Sequence, residues 1–132
     1  IRNAMNKWVN SNGTGAYTPI SFRETTNKPA SLIDVEKSGT NGNVGATTYF
    51  MIGGNSANAS AQNWYWARIN IWSRYNTATS FQKDVALGHE FGHAFGLDHE
   101  TNRGRLMHPR GNETTVNGPT RNELDGITAL YK

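Results

Sequence analysis

The chain has 132 residues, a formal net charge of +3 and 36% hydrophobic residues, a globular composition sufficient for one core and a single domain over residues 1–132. Its basic residues, among them Arg23, Lys37, Arg68, Arg74, Arg103 and Arg105, are scattered, which excludes a nucleic-acid footprint and leaves a mildly basic, solvated surface. With no cysteine, disulfides, thiolate metal sites and a thiol nucleophile are excluded, and no apolar run approaches the roughly 20 residues of a membrane span.

Ile1, Met5, Trp8 and Val9 recur at helical spacing, and NSNGTG then stops the helix. The first residue already lies in that pattern, and IRNAMNKWVN is amphipathic rather than apolar throughout. No signal peptide is therefore read, which leaves either a cytosolic protein or a mature or trimmed chain, and the helical start favours trimming. YTPISFRETT (17–26) predicts a strand, with Ile20 and Phe22 alternating against Ser21 and Arg23. SLIDVEK (31–37) repeats the alternation, with Ile33 and Val35 against Leu32, Asp34 and Glu36. NVGATTYFMI (43–52) is the third strand, rich in β-formers. YWARINIW (65–72) is the fourth, setting Ala67, Ile69 and Ile71 opposite Trp66, Arg68, Asn70 and Trp72. Between those two, residues 53–62 are rich in Gly, Asn, Ser and Ala and are expected to form a loop.

Thr79 and Gln82 have the spacing of a capping box for the strongest helix, where Phe81, Val85, Phe91 and Phe95 supply apolar surface and Gly96 the stop. A polar segment interrupted by LMHP runs on to Thr120. TRNELDGITALYK closes the chain as a second capped helix, with Thr120 and Glu123 in the box and Leu124, Ile127 and either Leu130 or Tyr131 facing inward. The order of helix, four strands, helix, long turn and helix is α+β.

Three of the four histidines fall within HEFGHAFGLDH, residues 89–99. His89 and His93 are four apart, so a helix projects both from one face with Cβ atoms about 5–6 Å apart, close enough for two ring nitrogens to reach one zinc ion. Gly96 can take the left-handed conformation that turns the chain back, and His99 follows as the third ligand. Three imidazoles leave one tetrahedral position open, the arrangement of a catalytic zinc rather than a structural one. Glu90 points beside such a metal, not at it. A carboxylate there can take a proton from water and pass it to a leaving amine. A bare HExxH arises by chance in helices whose histidines serve packing alone. The added glycine and third histidine make that explanation remote.

HExxHxxGxxH over 89–99, followed by a methionine at LMHP, resembles the metzincin metalloproteases. The short interval from His99 to Met107 resembles the matrixins, the matrix metalloproteinases and their bacterial relatives; Glu100 and Arg103 after the third histidine are an astacin-like touch. IRNAMNKWVN, TPISFRE and SLIDVEKSG look like the matrixin first helix and two succeeding strands, and TRNELDGITALY is similar to its C-terminal helix. The resemblance implies a metzincin-type catalytic domain, a twisted mixed sheet of about four strands packed with three helices. It implies a hydrophobic floor at Met107, an edge strand at Val44, Gly45 and Ala46 that pairs with extended substrate, and a pocket lined by Pro109, Arg110 and Gly111. It implies a secreted, monomeric zinc endopeptidase acting on protein or peptide, with one zinc.

The departures are specific, and one is at the start, where the resemblance implies a strand before the first helix, so an N-terminal strand or propeptide is expected to be missing. KSGTNGNVG has neither histidine nor aspartate, so the second, structural zinc of animal matrixins is not expected, and no acidic cluster argues for calcium. His108 stands where the family usually has tyrosine, and Gly111 where a further tyrosine commonly walls the pocket. His108 reads either as a fourth ligand or, more in keeping with its place in the turn, as a surface or pocket-rim residue. Trp64, Tyr65 and Trp66 read as substrate-gripping or as core. Two other functions compete: a lysin acting on cell-wall peptides, and a non-catalytic, zinc-stabilised binding module.

Overall fold

Trp8 sets the packing of the N-terminal helix. In the computed structural model, which describes residues 1–131 and leaves Lys132 outside the described residues, helix α1 spans Arg2–Val9. Its Trp8 is fully buried, donates its indole N–H to the Gly88 carbonyl at 3.0 Å and meets Phe95 edge-on at 5.2 Å. Ala4 is buried with it, whereas Ile1 and Val9 are exposed. The buried face of α1 is thus narrower than the spacing of its apolar residues suggests.

The sheet contains β1 (Ile33–Lys37), β2 (Ala46–Ile52), β3 (Asn55–Ser56) and β4 (Trp66–Ile71), in the order β1-β4-β2-β3. Strand β4 inserts between β1 and β2. It runs parallel to β1, with Ile33 opposite Ala67 and Lys37 opposite Ile71, and antiparallel to β2, with Ala46 opposite Ile71 and Met51 opposite Trp66. The period-2 pattern of β4 buries Ala67 and Ile69, and Ile69 joins Ile33, Val35, Leu87, Phe91, Leu106, Leu124 and Ile127 in one core. With helices α2 (Ser80–Ala94) and α3 (Arg121–Leu130) the described residues form an α+β fold of three α-helices and a mixed four-stranded sheet.

The strand expected at 17–26 does not form. Pro19 has no N–H to offer a ladder, and hydroxyls take over the neighbouring backbone donors: Ile20 N donates to Thr18 Oγ1 at 3.2 Å and Asn27 N to Thr25 Oγ1 at 3.0 Å. Ile20 and Phe22 still pack against the core, Phe22 lying 5.3 Å from Phe91. The alternation there records burial without strand pairing. The fourth strand is instead β3, inside the expected loop 53–62; it pairs with β2 only at Met51–Ser56 and Ile52–Asn55, after a turn through Gly53 at φ +57.

Both capping boxes form. Gln82 N donates to Thr79 Oγ1 at 3.2 Å and Thr79 N to Gln82 Oε1 at 3.0 Å; Thr120 N donates to Glu123 Oε2 at 2.8 Å, and the Thr120 hydroxyl also bonds that carboxylate. Phe81, expected on the apolar face of α2, is exposed, as are both Leu130 and Tyr131. These three sit at helix ends; Tyr131 spends its hydroxyl on the Phe95 carbonyl at 2.9 Å.

Candidate active site

Helix α2 carries His89, Glu90 and His93 and ends in a Schellman turn: Gly96 N donates to His93 O at 2.9 Å and Leu97 N to Gly92 O at 3.0 Å. Gly96 sits at φ +100, a conformation costly for any residue with a Cβ. The turn carries His99 back over the helix. It also aims the Leu97 carbonyl at His93, which donates Nδ1–H to it at 2.8 Å. His89 donates its Nδ1–H to Leu106 O at 2.9 Å. Both rings thereby present Nε2, and the Nε2 atoms of His89 and His93 each lie 3.1 Å from Nε2 of His99.

These ring nitrogens fit a metal ion. With Nδ1 of His89 and His93 each spent as a donor, their Nε2 atoms are lone pairs, and a neutral His99 can supply at most one N–H between them. At least one lone pair faces another without a proton, a need that a cation meets. Zinc bound at about 2.0–2.1 Å with tetrahedral angles would separate ligand nitrogens by about 3.3 Å, close to the spacing found. The three residues' ligand atoms lie within 4.8 Å of one another. Burial lowers the His89 imidazole to about 4 and also lowers His93, which keeps both rings neutral and able to ligate. Burial raises the Glu90 carboxyl to about 7, opposed by hydrogen bonding from Thr48.

The turn beneath the histidines is made by close approach to two glycines. A Cβ on Gly88 would lie 3.2 Å from Leu106 Cδ2, and one on Gly92 would overlap the Met107 sulfur. Leu106 and Met107 are both fully buried. Glu123 reaches across from α3 to accept the Met107 N–H at 3.3 Å, and Glu100 N donates to Met107 O at 3.1 Å. Gly92→Ala should therefore destabilise the fold by about 1–3 kcal/mol through overpacking, although alanine alone would favour the helix by about 1 kcal/mol. Urea unfolding measures the sign; an alanine variant as stable as the parent would show that Met107 does not seat on Gly92.

Val44, Gly45, Ala46, Pro109, Arg110 and Gly111 all line one cavity of about 610 Å³, together with Val85, His89 and Glu90. A second cavity, of about 590 Å³, is lined by Thr48, Phe50, Trp64, the three clustered histidines His89, His93 and His99, and Glu90. His89 and Glu90 thus stand where the two meet. Strand β2 begins at Ala46 rather than at Val44, but Trp72 N still donates to Gly45 O at 2.9 Å. That bond puts Gly45 in a hydrogen-bonded position opposite Trp72, so by antiparallel alternation the Ala46 amide turns away from β4, toward the edge that β3 leaves open. His108 lies outside the histidine cluster; it is buried, and its Nδ1 accepts from Arg110 N at 3.3 Å. Of the three neighbouring aromatics, Trp64 packs 4.6 Å from Phe50 beside the site, while Trp66 donates to Gly53 O and Tyr65 is exposed.

Sequence reasoning missed Thr48, which donates its hydroxyl to Glu90 Oε2 at 2.6 Å. Counting by twos from Ala46 along β2 reaches Thr48 on the same side, a signal that was available. It also missed Glu123 as a support for Met107, which no local pattern reveals.

The family model described as Matrixin matches residues 1–132. Over 58 residues, 42% of this chain, the sequence is 36% identical to neutrophil collagenase of Homo sapiens, covering 12% of that protein. Over 81 residues, 59% of this chain, it is 31% identical to interstitial collagenase of Bos taurus, covering 15% of it. The chain spans less than a fifth of either relative's length. No solved structure matches it significantly.

Proposed function

Because the chain belongs to the matrixin family, whose zinc metallopeptidase chemistry the histidine triad suits, we propose that it is a zinc-dependent endopeptidase hydrolysing extended polypeptides with Glu90 as general base. The observation that carries this reading is the convergence of three imidazole Nε2 atoms beside a half-buried carboxylate, at the meeting of two cavities. Zinc held by His89, His93 and His99 would supply Lewis acidity, polarising the scissile carbonyl and acidifying water.

Glu90 takes a proton at its carboxylate and returns it to the departing amine, so the peptide bond breaks without releasing a strong base. His89 and His93 are held by Leu106 and Leu97 carbonyls, which fixes their tautomers and leaves little reorganisation during turnover. Met107 serves as the hydrophobic floor, not as a ligand. The cavity lined by Val44, Gly45, Ala46, Pro109, Arg110 and Gly111 receives a substrate side chain, and the open edge of β2 pairs with the substrate main chain. The enzyme acts as a secreted monomer, the setting the family resemblance implies. No helix among the described residues is long and apolar enough to cross a membrane.

Ala46→Pro tests the edge strand. Proline removes the outward amide while sparing the β4 ladder, since edge positions tolerate it. The expected result is a fall in kcat/KM of about tenfold, the worth of one or two hydrogen bonds. Steady-state kinetics on a folded, zinc-loaded variant measure it, and unchanged kinetics would move the substrate elsewhere.

A further inference from the structure

We propose that Thr48 is a positioning residue for peptide hydrolysis, holding the Glu90 carboxylate by its Oε2 so that Oε1 is the oxygen left to exchange the proton. This rests on the reading of Glu90 as the base. Thr48 lies in β2 opposite Ile69, and its hydroxyl contacts both Glu90 Oε2 at 2.6 Å and the Glu90 carbonyl at 3.0 Å. A hydroxyl has one proton. The shorter contact, to a carboxylate, takes it, because hydrogen bonds to charged acceptors are the stronger ones. Oε1 accepts no hydrogen bond from another side chain among the described residues.

Glutamate has three side-chain torsions, and a helix fixes none beyond the first. Threonine, by contrast, is stiff at χ1, and β2 is clamped along its length to β4. The hydroxyl is therefore a fixed point, supplied by the sheet, against which a mobile carboxylate is set. Thr48 and Glu90 line the same cavity as His89, His93 and His99, so the orientation it imposes acts at the site itself. Without the hydroxyl, the carboxylate would keep only its contact with the Thr48 backbone and would sample several rotamers.

Thr48→Val keeps the branched shape and deletes the hydroxyl; Thr48→Ser keeps the hydroxyl and deletes the methyl. The expected result with a fixed peptide substrate is a fall in kcat of about ten- to a hundredfold for valine, the cost of a misplaced group, with KM, zinc content and melting temperature little changed. Serine should recover most of the lost kcat. In a Glu90→Gln background, Thr48→Val should cost nothing further. Valine with near-parental kcat, or serine no better than valine, overturns the proposal. If Glu90→Gln alone keeps its turnover, the reading of Glu90 fails; if that variant is inactive while Thr48→Val is not, only the role of Thr48 fails.

Discussion

Glu90→Gln should keep its zinc and lose peptide hydrolysis by about 10²–10⁴-fold, the usual worth of general acid–base catalysis. Glutamine preserves the shape of the side chain and can still meet the Thr48 hydroxyl that sits 2.6 Å from Oε2, but it cannot take a proton. The metal-facing nitrogens belong to other residues, so their geometry is untouched. The loss should appear in kcat more than in KM, because the proton moves only on the way to the transition state. Metal analysis and kinetics on one preparation make the test. A glutamine variant retaining more than about a tenth of parental turnover would remove Glu90 from the role of base and favour a zinc-stabilised binding module.

His99→Ala should fail in a different way, losing zinc and activity together. His99 is exposed and follows the helix rather than belonging to it, so its truncation should leave the metal-free fold about as stable as before. Its Nε2 nevertheless faces both partner nitrogens at 3.1 Å. Residues that merely orient a ligand are worth about 10–100-fold in metal affinity, and loss of a ligand itself should exceed about 100-fold. Zinc titration by competition with a chelator measures this. Parental affinity in the alanine variant would place the metal elsewhere.

The legible and illegible parts of this protein divide by the range of the interactions. HEFGHAFGLDH could be read directly because the helix puts His89 and His93 on one face and Gly96 supplies the turn; all of it happens within one short segment. The capping boxes at Thr79 and Thr120 are local in the same sense. Strand pairing is not local. Ile20 and Phe22 alternate like β4 residues, yet β4 pairs with a strand on each side while residues 17–26 form no strand, and alternation reports which side chains are buried rather than what the backbone bonds to. The contacts that fit the turn to the helix, Glu123 with Met107 and Gly92 with Met107, join separate elements. So does Thr48 with Glu90; a threonine in a strand of β-formers looks like any other until the helix is laid beside it.

The most direct test is to strip the protein with a chelator and add zinc back in steps while following cleavage of an unstructured peptide. Three of the four histidines converge on one point, so activity should be absent from the stripped protein, rise linearly and saturate at about one zinc per chain, as one three-histidine site requires. Cleavage undiminished by stripping, or activity that returns only with a second equivalent, would contradict a single catalytic zinc held by His89, His93 and His99.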